Sequence, residues 1–284
     1  MSILPCIQLF FLLCFGLYSS VEAQEATVVE NIRYGDRPTD TLITASSDRL
    51  LDLYMPKDSP KRLLPVFVFV HGGGFAMGDK ESTKDLCTAI AKRGFAVVSI
   101  NYRLYLSMQA GRSHWSVFSK VNSMANGLPP NGKFHLALQK GVEVASEDLL
   151  LAIEWVKHHA EQYGFDAKTL ILSGSSAGAM TVLHTAYVAP PAHLRVKAVV
   201  NLWGSVQNTS AIQAYENMPA LLTYHGYQDK IIHVDYAYAL QKRMLELGNT
   251  HAEIHILNVK GHALNALITK EKVDEIADFL NRIP

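Results

Sequence analysis

Leu170-Ile171-Leu172-Ser173-Gly174-Ser175-Ser176-Ala177-Gly178 is an apolar run that breaks into glycine and serine and leads into a helical stretch, Ala177 to Val188. The run reads as a strand. Gly174 to Gly178 fits G-x-S-x-G, and a strand before it with a helix after it is the context that pattern requires. In that setting the middle serine, Ser176, sits on a tight, strained turn at a helix N-terminus. There the backbone dipole favours developing negative charge. Gly174 and Gly178 carry no side chains, so strand and helix can approach closely. Ser176 is therefore the candidate nucleophile.

Outward from this turn the chain repeats the same alternation. Pro65–Val70, Phe95–Asn101, Val196–Leu202, Ala220–Tyr224 and Ala252–Leu257 are further short runs, apolar on both faces, as in strands of a parallel sheet covered by helices. Between them lie amphipathic stretches: Ser82–Arg93, Ser146–Tyr163, Val234–Leu247 and Glu271–Arg282. In Ser146–Tyr163 the residues Leu149, Leu150, Ile153, Val156 and Ala160 form one stripe. Ser146 is placed to cap it, with Glu147 and Asp148 in its first turn. Thr27–Tyr34 and Leu50–Tyr54 read as an antiparallel start. The order predicts an α/β fold with a mostly parallel central sheet, antiparallel N-terminal strands and helices on both faces. Leu104 to Gly141 has no sustained period. A loop of that length inside a compact domain is usually functional or mobile, and a covering segment over the active site is expected there.

A serine hydroxyl needs a base, and the base an orienting acid. Twelve histidines are available, so position decides. His262 follows Gly261 in the loop after the last strand, at the carboxyl edge of the sheet that also holds Ser176. His158 and His159 fall within a helix and His255 within a strand, while His225 precedes a turn. The acid belongs on another strand-end loop between Ser176 and His262. His225-Gly226-Tyr227-Gln228-Asp229-Lys230 offers Asp229. Asp235 reads as a helix-start residue, and Glu216 is the other acid nearby. His71-Gly72-Gly73-Gly74 directly follows the run Pro65–Val70. Glycine permits the backbone angles and close approach that an oxyanion hole requires. Donors are expected from Gly73 and Gly74, together with Ala177 after the nucleophile, while His71 holds the loop.

Hydrophobic residues are 49% and charged residues 18%, with 26 basic against 26 acidic. The basic residues are scattered, in pairs at most (Lys61-Arg62, Lys92-Arg93, Lys242-Arg243), so no nucleic-acid footprint is present. Ile7–Tyr18 is nearly all apolar, and Val21-Glu22-Ala23 is small-x-small. That is the shape of a secretory signal over residues 1–23, with cleavage after Ala23 and one domain over 24–284. The apolar run falls short of the ~20 residues a spanning helix needs, so stable membrane insertion is not expected. A secreted or periplasmic location is. Cys6 and Cys14 lie in the signal, which leaves Cys87 as a lone, buried helix residue. No metal or organic cofactor is expected. Trp115, Phe118 and Phe134 could stack on an aromatic or sugar group or fill a local core.

Several stretches together resemble a known family. Leu51-Asp52-Leu53-Tyr54-Met55-Pro56, His71–Phe75, Asn101-Tyr102-Arg103-Leu104, Gly174–Gly178, the Asp229 loop and Gly261-His262 stand in the order of the α/β-hydrolase fold. Within it they are similar to the esterase/lipase group with an HGGG oxyanion loop, and most similar to small secreted bacterial carboxylesterases acting on acetyl or hydroxycinnamoyl esters, some on plant polysaccharides. Ser175 stands where many relatives carry Asp or Glu, and Ala179 where many carry a second Gly. The resemblance implies cleavage of a small-molecule or polysaccharide-linked ester through an acyl-enzyme. Ser176 is then the nucleophile, His262 the base and Asp229 the orienting acid. A serine peptidase, a lipase lidded by Leu104–Gly141 and a non-catalytic binding member share the fold and stay open from the residues alone.

Overall fold

The structure, a computed structural model, describes residues 25–39, 44–57, 62–108 and 136–283. The expected signal segment, and with it Cys6 and Cys14, lies outside the described residues. So does 109–135, with Trp115, Phe118 and Phe134. Eight strands form one sheet in the order β1-β2-β4-β3-β5-β6-β7-β8. They are β1 (Ala26–Arg33), β2 (Leu50–Pro56), β3 (Leu64–Val70), β4 (Ala96–Ile100), β5 (Phe165–Ser175), β6 (Ala198–Leu202), β7 (Ala220–Gln228) and β8 (Ala252–Lys260). β2 pairs antiparallel with both β1 and β4, and all the other pairings are parallel.

The short apolar runs are explained by this topology. Along β3, Val66, Val68 and Val70 enter one core and Phe67 and Phe69 the other, all fully or nearly fully buried. The first core lies under α2 (Leu136–His158), α3 (Ala177–Leu183) and α4 (Asp235–Glu246). The second lies under α1 (Lys84–Ala91), α5 (Asn265–Glu271) and α6 (Val273–Arg282). Each fully buried side chain of this kind stabilises the fold by about 1.5–3 kcal/mol. Cys87 packs in the second core, where burial pushes its thiol up to about 12. Among the described residues no helix is long and apolar enough to cross a membrane.

Two expectations are corrected. The period-free segment does not reach Gly141, because residues 136–141 are already helical in α2. Ser146 therefore caps nothing. It sits in mid-helix, and its hydroxyl donates to the Val142 carbonyl at 2.8 Å, the back-bond by which serine is accommodated inside helices. Asp148 is not a solvated first-turn acid either. It is fully buried and accepts from Arg49 Nε (3.0 Å), Arg103 N (2.8 Å) and Arg103 Nε (3.0 Å). This charge-assisted cluster ties α2 to the segment after β4. The next residue inward, Tyr102, stacks on His71 at 4.6 Å between centroids and donates its hydroxyl to the His71 carbonyl at 3.0 Å. The loop after β3 is thus braced from behind by a buried network.

Candidate active site

Ser176 closes the turn between β5 and α3 with φ 53° and ψ −117°, a backbone region sparsely populated by non-glycine residues. Two facts hold it there. Its amide donates to the Leu202 carbonyl at 2.9 Å. A Cβ on Gly178 would lie 2.0 Å from the Val70 carbonyl oxygen, so only glycine lets α3 cross β3 this closely. The hydroxyl is lifted to the carboxyl edge of the sheet.

His262 stands in the loop after β8. Its Nε2 lies 2.7 Å from Ser176 Oγ and its Nδ1 2.7 Å from Asp229 Oδ2. Asp229 follows β7 directly, and its Oδ1 accepts from the amides of Ile231 (2.8 Å) and Ile232 (3.0 Å). Burial pushes the Asp229 carboxyl up. Hydrogen bonds from His225 and His262, the charge of His262 and the Ile232 amide outweigh burial and hold the carboxyl well below the usual carboxylate range. The carboxylate therefore stays ionised, and its acceptor role orients Nδ1–H and leaves Nε2 free to take a proton from Ser176.

Gly73 and Gly74, both at positive φ, line one cleft with Ser176 and His262. A Cβ on Gly73, whose φ is 120°, would fall 1.9 Å from the Met77 carbonyl oxygen, so the loop admits no side chain there. His71 is fully buried; its Nδ1 donates to the Gly72 carbonyl at 2.6 Å, and burial lowers its pKa to about 4. Ala177 is the first residue of α3, where an amide has no partner within the helix. The cleft encloses about 340 Å³, and its walls include Met77, Trp203, Ile231 and Ala263.

The structure thus brings Ser176, Asp229 and His262 into one hydrogen-bonded line. The other candidates are occupied elsewhere. His158 and His159 bond through Nδ1 to backbone carbonyls one turn back in α2, and His255 pairs with Glu275 at 2.8 Å. Asp235 opens α4 and pairs with His233 at 3.3 Å, and Glu216 is exposed. Sequence reasoning missed Ile231 as a cleft wall, since it is one apolar residue among many. Among the described residues no group of three or more His, Cys, Asp or Glu could hold a metal ion.

Comparison with known proteins agrees with this fold. The family described as alpha/beta hydrolase fold matches residues 105–239, and the one described as BD-FAE matches residues 51–112. The chain is 32% identical over 151 residues to the fumonisin B1 esterase of Sphingopyxis macrogoltabida, covering 53% of this chain and 24% of that one. It is 30% identical over 148 residues to the para-nitrobenzyl esterase of Bacillus subtilis (strain 168), covering 52% and 26%. It thus spans about a quarter of the length of these relatives. Among solved structures it is similar to the propionate-bound thermophilic esterase Est2 of Thermogutta terrifontis, with a TM-score of 0.62 at 18% identity, covering 90% of this chain and 93% of that one. A truncated carbohydrate esterase from gut microbiota gives 0.62 at 17% identity, covering 92% and 97%. The chain has the α/β-hydrolase fold.

Proposed function

We propose that this chain is an exported serine carboxylesterase that cleaves small carboxylic esters, acetyl or aryl-acyl, through an acyl-enzyme. The observation that carries the reading is the line Ser176 Oγ, His262 Nε2, His262 Nδ1, Asp229 Oδ2, with 2.7 Å at both contacts. Ser176 Oγ attacks the ester carbonyl carbon as His262 Nε2 takes its proton. The carbonyl oxygen becomes an oxyanion, held by the amides of Gly73, Gly74 and Ala177. Removing one such donor typically costs ~10²–10³ in turnover. Asp229 stabilises the imidazolium. As the carbonyl re-forms, the alkoxide leaves with the proton from His262. Water then attacks the acyl group with His262 again as base, and Ser176 is released.

The esterase names of the relatives support the reaction class, and a cleft of about 340 Å³ suits a small ester. Export rests on the apolar run and the Val21-Glu22-Ala23 site. Ser176→Ala should abolish both p-nitrophenyl acetate hydrolysis and labelling by an organophosphonate. Retention of both overturns the assignment. A panel that includes acetylated xylan and methyl ferulate assigns the ester. An exported product whose sequence begins at Gln24 would establish the leader.

A further inference from the structure

Asp229 is approached by two histidines. His262 reaches Oδ2 from the cleft side, and its side chain is 15% exposed. His225, four residues before Asp229 on β7, approaches the same oxygen from inside, with Nε2 at 3.4 Å and no exposed surface. That Nε2 also lies 2.8 Å from the Ile232 carbonyl oxygen. Both neighbours of Nε2 are acceptors, so Nε2 carries the proton. The shorter contact is the hydrogen bond, and the longer one is an electrostatic contact between the same N–H and the carboxylate. Nδ1 is buried and has no hydrogen-bond partner among the described residues.

Burying an imidazole with one bare nitrogen is a costly way to fill a core, since an aromatic or aliphatic side chain leaves nothing unpaired. The placement of the other nitrogen gives the cost a purpose. The turn from Asp229 to Ile232 is closed on one side by Asp229 Oδ1 and the amides of Ile231 and Ile232. His225 closes it on the other, bridging the Ile232 carbonyl to Asp229 Oδ2. The carboxylate cannot rotate without losing contacts on both oxygens at once. Held in this way, Oδ2 faces His262 Nδ1 at 2.7 Å.

We infer that His225 is a positioning residue: its Nε2–H locks the Asp229 turn and aims Oδ2 at His262. It touches neither Ser176 nor the reacting ester. The inference rests on the reading of Ser176, His262 and Asp229 as the reacting line.

His225→Gln keeps an N–H donor near the place of Nε2, and His225→Met has similar length and no donor. For the Met variant kcat on p-nitrophenyl acetate should fall about 10–100-fold with KM unchanged, the scale on which losing an outer partner of a site is felt. The far-downfield proton resonance of the His262–Asp229 hydrogen bond should be lost with it. The Gln variant should retain most of kcat and the resonance. In the wild-type protein, ¹⁵N shifts should place the His225 proton on Nε2, a measurement that needs no variant to fold. A Met variant with wild-type kcat and an intact resonance overturns the inference. So does an equal loss in folded Gln and Met variants, or a proton on Nδ1. If Ser176→Ala is inactive in the same assays, any of these results sinks the role of His225 alone. If Ser176→Ala remains fully active, the catalytic reading itself has failed.

Discussion

The indole of Trp203 stands edge-on to the imidazole of His262, with ring centroids 6.3 Å apart and planes at 69°. Trp203 follows β6 with φ 47°, an outlier for so bulky a residue, and is 1% exposed. Its amide donates to the Tyr224 carbonyl at 2.8 Å, so the strand pairing holds the strained backbone. Strain of this kind is kept where the surrounding structure imposes it. Here it sets a flat wall across the cleft beside His262. Trp203→Leu should lengthen the cleft. Each newly buried methylene is worth about 0.8 kcal/mol, so two of them raise kcat/KM for p-nitrophenyl octanoate relative to acetate by about tenfold. An unchanged ratio of octanoate to acetate in the folded variant would remove Trp203 from substrate selection.

His71 makes stability pH-dependent. Burial lowers its pKa to about 4 from 6.5. Between those values the unfolded chain binds a proton that the folded one refuses, so stability drops as pH falls. The loss grows to about 3 kcal/mol near pH 4 and is absent above the unfolded value. His71→Asn can still donate to the Gly72 carbonyl but does not titrate. Urea unfolding at pH 7, 5.5 and 4.5 should show wild type losing stability relative to the variant across that window. Parallel curves would contradict a neutral, buried His71.

Asp229 acts with the opposite sign. Burial raises its carboxyl pKa, but the hydrogen bonds from His225 and His262 win and depress it. Its contribution is therefore complete above the unfolded carboxylate value and fades as pH falls through the folded one. The stability difference between wild type and Asp229→Asn should not fall from pH 8 to 5 and should shrink only below about pH 4. Turnover of the Asn variant should fall by the order of 10⁴, the size of that change in a serine triad where the wrong tautomer results. A difference that shrinks already between pH 7 and 5 would mean that Asp229 is not held ionised.

The sheet and the reacting line were legible in the sequence because each depends on local signals. β3 and β4 are runs of β-branched and aromatic residues bounded by glycine or polar residues. Asp229 and His262 each sit just past a strand, and parallel strands deliver their ends to one edge. The start of α2 was not legible. Gly141 interrupts its stripe, and buried Asp148 looks like a surface acid until Arg49 and Arg103, far away in sequence, are seen against it. The place of His225 is hidden for the same kind of reason. Nothing in His225-Gly226-Tyr227-Gln228-Asp229 says that the first side chain turns inward and touches the last. The walls of the cleft come from five separate loops, and their meeting is a property of the closed fold.

Gly178 offers the sharpest test of how the turn at Ser176 is built. An added Cβ would meet the Val70 carbonyl oxygen at 2.0 Å and the His71 carbonyl oxygen at 2.6 Å. Both are backbone atoms at the end of β3, so no side chain can swing aside. In Gly178→Ala, α3 must lift off the sheet and carry Ser176 and Ala177 away from Gly73 and Gly74. Overpacking of this sort costs about 1–3 kcal/mol, and the shift of serine and amide should lower kcat by about 10²-fold, the effect of a 1 Å misplacement. Gly164→Ala is the matched control. Gly164 ends a helical turn at φ 70°, and no atom of the described residues lies within 4 Å of an added Cβ. That variant should lose about 1–2 kcal/mol from the left-handed backbone alone and keep wild-type kcat. The pair is read by thermal unfolding and by p-nitrophenyl acetate turnover. Equal kcat in the two variants would mean that close crossing of α3 over β3 is not what sets the serine.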